Sequence, residues 1–230
     1  MIKPDLITVW PINSDYPLWR EMVRANRHHF NKVIIGFMQT NDGIDNRRFV
    51  MSAMSNDGVD FIDCFPYNSG QDWRDVITNA CLRISTSNWV FFTEQDFFMR
   101  EKFWNTVESV CDTENLDYIG VKQGERLHPC CLFIKKEALE KTSRDFAIGD
   151  SYDHFGLIQK EIEANEAMGY IMPDNTYFHL NGLTHNFNLL RNGEQPNYEP
   201  EMFKEYLEKC LMCKVPLQKD FVDIAKKFVK

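Results

Sequence analysis

A chain of 230 residues, 43% hydrophobic and 26% charged, can bury an ordinary core, which excludes a disordered segment or a disulfide-stapled miniprotein. With 26 Lys and Arg against 34 Asp and Glu, the net charge of −8 argues against a protein that lives on phosphate backbones by bulk charge. No run of about 18 apolar residues occurs, so no membrane span is expected, and Met1-Ile2-Lys3-Pro4-Asp5 lacks the pattern of a signal peptide.

Leu6 to Trp10 is a short apolar run stopped by Pro11, which reads as a buried strand entering the loop Asn13-Ser14-Asp15. Pro17 suits a first helical turn, and Leu18, Met22, Ala25 and Phe30 supply its apolar stripe. Val33 to Met38 is the second strand, followed by a polar loop over Gln39 to Asn46. Val59 to Phe65 alternates as a third strand before the turn Pro66 to Gly70. A helix follows from Asp72 with Val76, Ile77, Ala80, Cys81 and Ile84 on one side. Trp89 to Phe92 is a fourth buried strand ending in Thr93-Glu94-Gln95-Asp96.

Strands and helices in this order predict an α/β fold, with a mostly parallel central sheet and helices on both faces. In such sheets ligands sit beyond the carboxyl ends of the strands, where the polar clusters of this chain fall. Neither GxGxxG nor GxxxxGK[ST] is present, so the usual dinucleotide and P-loop readings fail.

In the second half, a helix is expected near Glu101 to Asp112, strands at Tyr118 to Val121 and Cys131 to Ile134, and a short helix at Lys136 to Lys141. The next helix is placed from Asp153 or His154, carries Leu157, Ile158 and Ile162, and is ended by Gly169. Tyr170 to Met172 and Thr176 to His179 are short strands, and 200–213 and 217–229 are amphipathic helices. The seven cysteines, an odd number, are expected as free thiols in a cytoplasmic protein. Cys210 and Cys213 form a CxxC on a helical stripe, where core thiols outweigh a metal site.

Three sites carry candidate chemistry. Glu94 and Asp96 stand one residue apart after a buried strand, where carboxylates are costly unless they meet a cation or strong donors. Together they suit Mn²⁺ or Mg²⁺, with diphosphate oxygens completing the shell; the alternative is a carboxylate capping the helix near Glu101. Asp150 and Asp153 precede a helix, and each is either an N-cap or a general base facing a cleft. His179, at a strand end, is either a packed rim residue or the imidazole that completes the metal site.

Taken together, these pieces resemble the nucleotide-sugar glycosyltransferases of GT-A fold, in particular family 2. The resemblance is carried by Val9-Trp10-Pro11-Ile12-Asn13, by Ser69-Gly70-Gln71-Asp72-Trp73-Arg74 with Asn79, and by Glu94-Gln95-Asp96 in place of a DxD. It continues through Leu132 to Leu139, Asp150 to Asp153, Gly169-Tyr170 and His179-Leu180-Asn181-Gly182, and so spans residues 6–185. Phe37 and Met38 stand where family 2 carries two aspartates that read the nucleotide base.

The resemblance implies a Rossmann-like GT-A sandwich over 1–195, with a helical extension over 196–230 packed on it. It implies a metal-dependent glycosyltransferase that moves a sugar from a nucleoside-diphosphate sugar, a UDP-sugar foremost, to an acceptor hydroxyl. Pro11, Asn13, Gly70, Arg74, Glu94 and Asp96 would bind the donor. Asp96, Glu94 and His179 would hold Mn²⁺ or Mg²⁺, with His185 the alternative imidazole. Arg74 or Arg126 would contact phosphate, and surface arginines are the plain alternative. Asp153, or Asp150, would deprotonate the acceptor and give inversion. Trp10, Tyr152 and Phe155 are stacking candidates for sugar. The acceptor would be a saccharide, a lipid, a protein or a modified DNA base. A nucleotidyltransferase and a non-catalytic sugar- or nucleotide-binding module are the rival readings.

Overall fold

The computed structural model describes residues 2–10, 20, 23–37, 50–52, 54–63, 72–94, 97–100, 102–113, 115–124, 126–147, 155–179 and 208. Four strands open the chain: β1 (Asp5–Trp10), β2 (Val33–Phe37), β3 (Val59–Asp63) and β4 (Trp89–Thr93). Helix α1 (Trp73–Ile84) lies between β3 and β4. β5 (Phe97–Met99) and helix α2 (Lys102–Thr113) follow, then β6 (Tyr118–Gln123) and the long β7 (Arg126–Lys135). The short α3 (Lys136–Leu139), α4 (Gly156–Ala164), β8 (Gly169–Ile171) and β9 (Tyr177–His179) complete the described part.

Seven strands form one sheet in the order β3-β2-β1-β4-β7-β6-β8, and β5 pairs with β9 in a separate ribbon. β1, β2, β3 and β4 are mutually parallel, as are β6 and β8; β7 alone runs against its neighbours. The α/β, mostly parallel sheet is the architecture expected.

The reason lies in the strands themselves. β2 and β4 are buried at every position, as continuous apolar runs must be when both faces are covered. Alternate residues feed two cores. Leu6, Val33, Ile35, Phe91 and Phe133 pack with Phe103, Trp104 and Val107 of α2. Ile7, Ile34, Val90, Phe92 and Ile134 pack with Cys81 of α1, Leu139 of α3 and Ile158 and Ile162 of α4.

One consequence of the topology positions the site. The carboxyl ends of β1, β4, β6 and β8 lie along one edge of the sheet. Because β7 is antiparallel to β4, pairing Thr93 with Cys131, its first half reaches that same edge. The ribbon of β5 and β9 continues directly from β4, with Phe97 opposite His179.

Three local expectations are corrected. Gly169 does not end α4. The helix stops at Ala164 and turns through Glu166 at φ +51°, while Gly169 opens β8, where the Tyr118 ring occupies the space of a Cβ. The same helix starts at Gly156 with Phe155 as its N-cap, two to three residues later than Asp153 or His154. The strand expected from Cys131 starts at Arg126, because Pro129 sits in a bulge and does not break the strand. The C-terminal helices, Cys210 and Cys213, and the 195/196 boundary lie outside the described residues.

Candidate active site at the carboxyl edge of the sheet

Glu94 follows β4 directly, and its position is set from three sides. Its amide donates to the Cys130 carbonyl at 3.3 Å, tying it to β7. Its own carbonyl accepts from the Phe97 amide and the Thr93 hydroxyl. Thr8 of β1 donates its hydroxyl to the Thr93 carbonyl at 2.8 Å and clamps the ends of β1 and β4 together. The Glu94 side chain, 32% exposed, faces the edge and places Oε2 3.3 Å from His179 Nε2.

His179 reaches Glu94 because β9 pairs with β5. The ribbon is held from behind: Tyr177 stacks on Phe97 with ring centroids 5.4 Å apart. The Tyr177 hydroxyl donates to Asp174 at 2.9 Å. Burial, then that hydrogen bond, pushes the phenol well above its usual range, so it stays a neutral donor. Arg100 adds bonds from its amide to the Thr176 carbonyl and from Nε to the Tyr177 carbonyl.

Two further side chains close on His179. His128 and Cys130 of β7 offer ligand atoms that, with one from His179, all lie within 4.8 Å of one another. The His128 and His179 ring centroids are 4.8 Å apart. His128 Nδ1 accepts the Cys130 amide proton at 3.1 Å, so its ring proton sits on Nε2. The sequence reading did not single out His128 or Cys130. The available signal was Pro129 inside an apolar run, since proline within a sheet marks an edge or a bulge.

Phe155 closes the site from the α4 side. Ile7, Val9, Phe92, Thr93, Glu94, Pro129 and Phe155 line a small cavity at the ends of β1 and β4. Phe155 holds φ +69°, a left-handed conformation that an aromatic residue adopts only under tertiary constraint. Its ring is 4% exposed and lies 4.9 Å from both Phe92 and Phe146.

The structure thus brings Glu94 and His179 together. The Glu94 carboxylate meets an imidazole, eight residues ahead of the start of α2 at Lys102. An oxygen and a nitrogen donor converging at a part-open edge fit a divalent cation. Arg74, in the first turn of α1, lies 3.4 Å from its N-cap Asp72, which also accepts the Arg74 amide at 2.8 Å. Arg126 is the first residue of β7. Pro11, Asn13, Gly70, Asp96, Asp150, Tyr152, Asp153 and His185 lie outside the described residues, as does the Trp10 side chain. A roomier groove of about 540 Å³ runs along α1 and α3 between Asp75, Arg83, Lys136 and Arg144. It carries no strand-end residue, and Arg144 there pairs with Glu140 at 3.2 Å.

No family model and no curated protein matches the chain. Solved structures do. The mannosyltransferase PcManGT from Pyrobaculum calidifontis, solved with GDP-Man and Mn²⁺, superposes with a TM-score of 0.57 at 12% identity, over 92% of this chain and 65% of that one. The fold is GT-A. S. aureus TarS gives 0.55 at 12% identity over 99% and 71%, respectively. Glucosyl-3-phosphoglycerate synthase from Mycobacterium tuberculosis gives 0.53 at 13% over 85% and 82%. At such identities the likeness establishes the GT-A architecture, and the chemistry must be argued from the site.

Proposed function

We propose that this chain is a metal-dependent glycosyltransferase that moves a sugar from a nucleoside-diphosphate sugar to an acceptor hydroxyl. The observation that carries the reading is the meeting of Glu94 and His179 at 3.3 Å on the ligand-binding edge of a GT-A sheet. The ligands of similar folds support it: GDP-Man and Mn²⁺ in PcManGT, UDP in S. aureus TarS, and Mn²⁺ with UDP in the mycobacterial synthase.

In this reading Glu94, Asp96 and His179 hold Mn²⁺ or Mg²⁺. The bound ion supplies Lewis-acid stabilisation of the charge that develops on the leaving diphosphate. Pro11, Asn13 and Gly70, which follow β1 and β3 in the sequence, cradle a nucleotide, with UDP favoured over GDP. Arg74 shares its charge with Asp72 and so serves phosphate less well than a free guanidinium. Asp153 takes the proton from the acceptor hydroxyl, Asp150 being the alternative, and single displacement inverts the anomeric carbon. One fact supports Asp153: Phe155, two residues on, lines the cavity beside Glu94. The acceptor is a saccharide, lipid, protein or modified DNA base. No described helix is long and apolar enough to cross a membrane, and the free thiols of Cys81, Cys111, Cys130 and Cys131 fit a cytoplasmic setting.

The test is calorimetric titration with UDP and GDP, each with Mn²⁺ and with chelator, on the parent and on Glu94→Ala, His179→Ala and Asp153→Ala. Loss of either metal ligand should weaken Mn²⁺-dependent nucleotide binding by roughly tenfold or more, whereas Asp153→Ala should bind normally and lose transfer. Nucleotide binding that ignores Mn²⁺ and survives both ligand substitutions would refute the metal role.

A further inference from the structure

β7 carries a pronounced irregularity where it passes the site. Gly120 of β6 pairs with Leu132, but the next residue, Val121, pairs with His128. Pro129, Cys130 and Cys131 are therefore extra on the β7 side. Bulges next to active sites re-aim side chains. This one turns His128 and Cys130 onto the face where β9 presents His179, and it sets the Cys130 carbonyl against the Glu94 amide.

A thiol, two imidazoles and a carboxylate drawn from three strands are a costly choice for a core. Cys130 is 1% exposed and His128 7%; a buried thiol costs little, but a buried imidazole needs partners for its polar atoms. As a donor set they have a distinct character. Oxygen ligands alone suit Mg²⁺ and Mn²⁺, whereas thiolate with imidazole suits Zn²⁺, Co²⁺ and Fe²⁺.

We propose that the cation site of this chain contains sulfur: Cys130 Sγ ligates the ion alongside His179 and Glu94, so that the site prefers Zn²⁺ or Co²⁺ over Mn²⁺. The inference rests on the reading of Glu94 and His179 as cation ligands and sharpens it. Metal–sulfur and metal–nitrogen bonds of about 2.3 and 2.1 Å put tetrahedral ligand atoms roughly 3.5 Å apart. The Glu94–His179 separation of 3.3 Å already matches. Cys130 Sγ lies within 4.8 Å of a His179 ring nitrogen, so an approach of roughly 1.3 Å at most brings the sulfur to ligand spacing. Here Cys130 takes the place given above to Asp96, so three protein ligands leave a position open for a diphosphate oxygen, as catalytic zinc sites do. His128 is a positioning residue here. Its Nδ1 is taken by the Cys130 amide, so it holds the bulge in shape.

The experiment is a Co²⁺ titration of the metal-stripped full chain, followed by absorption, with Zn²⁺ and Mn²⁺ as competitors. The expected result is a thiolate-to-cobalt charge-transfer band in the near ultraviolet, removed by Zn²⁺ far more readily than by Mn²⁺. Cys130→Ser should lose the band and weaken Zn²⁺ binding by about tenfold or more, while Cys131→Ser keeps both. His128→Gln should keep the band and lower Co²⁺ affinity roughly tenfold. Cobalt binding without the band in the parent, or a band insensitive to Cys130→Ser, overturns the sulfur ligand. If that cobalt or Mn²⁺ binding still needs Glu94 and His179, the oxygen–nitrogen site stands; if no cation binds, both readings fall. Should Cys130→Ser not fold, the presence or absence of the thiolate band in the parent and in Cys131→Ser still decides the matter, because oxygen–nitrogen sites also take Zn²⁺ over Mn²⁺.

Discussion

Asp5 is the residue whose setting departs furthest from its appearance in sequence. It precedes an apolar run and looks like a polar strand start, yet it is fully buried. One carboxylate oxygen accepts from the Ser85 hydroxyl and the Thr86 and Ser87 amides, the other from Asn31 Nδ2 and the Lys32 amide. It thereby ties the starts of β1, β2 and β4 together at the edge opposite Glu94. Burial raises its pKa, but the hydrogen bonds together outweigh it and hold the carboxyl below its ordinary value. A depressed folded-state pKa contributes stability that is complete above the unfolded value, near 3.9, and lost as pH falls through the folded one. Asp5→Asn sets an amide NH₂ against donors and should cost about 2–4 kcal/mol in urea unfolding at pH 7. The difference between parent and variant should shrink below about pH 4. A cost under about 0.5 kcal/mol at neutral pH would refute the clamp.

At the level of elements, the contact between α1 and β2 depends on the absence of a side chain. A Cβ on Gly36 would stand 2.8 Å from Ile77 Cγ1 and 2.9 Å from Cys81 Sγ. Glycine weakens a strand interior, so its use here is explained by the close approach of the helix. Gly36→Ala should destabilise by about 1–3 kcal/mol through overpacking. Ile77→Ala alone leaves a cavity, but the double variant should be at least about 1 kcal/mol more stable than the two single costs sum to. Strict additivity would show that the helix moves away freely. The same scale explains what the sequence hid. β5 has three residues, too few for a period of two to show, and the first half of β7 was obscured by Pro129. The apolar runs of β1, β2 and β4 were legible because both of their faces are buried, whereas β3, which has no fully buried residue, was legible by its alternation.

For the molecule as a whole, the glycosyltransferase reading predicts linkage between nucleotide, metal and stability. A ligand at one hundred times its dissociation constant stabilises the native state by about 2.7 kcal/mol. For a chain of this size each kcal/mol moves the melting temperature by roughly 2–4 °C. A thermal-shift panel of UDP, GDP and CMP with their sugar conjugates should therefore show one nucleotide class raising Tm by about 5–10 °C with Mn²⁺, and chelator should abolish the rise. No rise with any of them would leave Glu94 and His179 as a structural pair.

Periodicity and the order of elements were sufficient, by themselves, to determine an α/β sheet with parallel opening strands, helices on both faces, and Glu94 at the carboxyl end of a strand. These are local properties, since each depends on a few neighbouring residues and on which faces they must bury. Only the tertiary structure decided that His179 meets Glu94, that a three-residue bulge turns His128 and Cys130 onto the same point, and that Asp5 is a buried clamp. Each of these depends on strand pairing between distant segments and on register. A register slip of one residue would turn every side chain to the other face, and no short-range pattern encodes that choice.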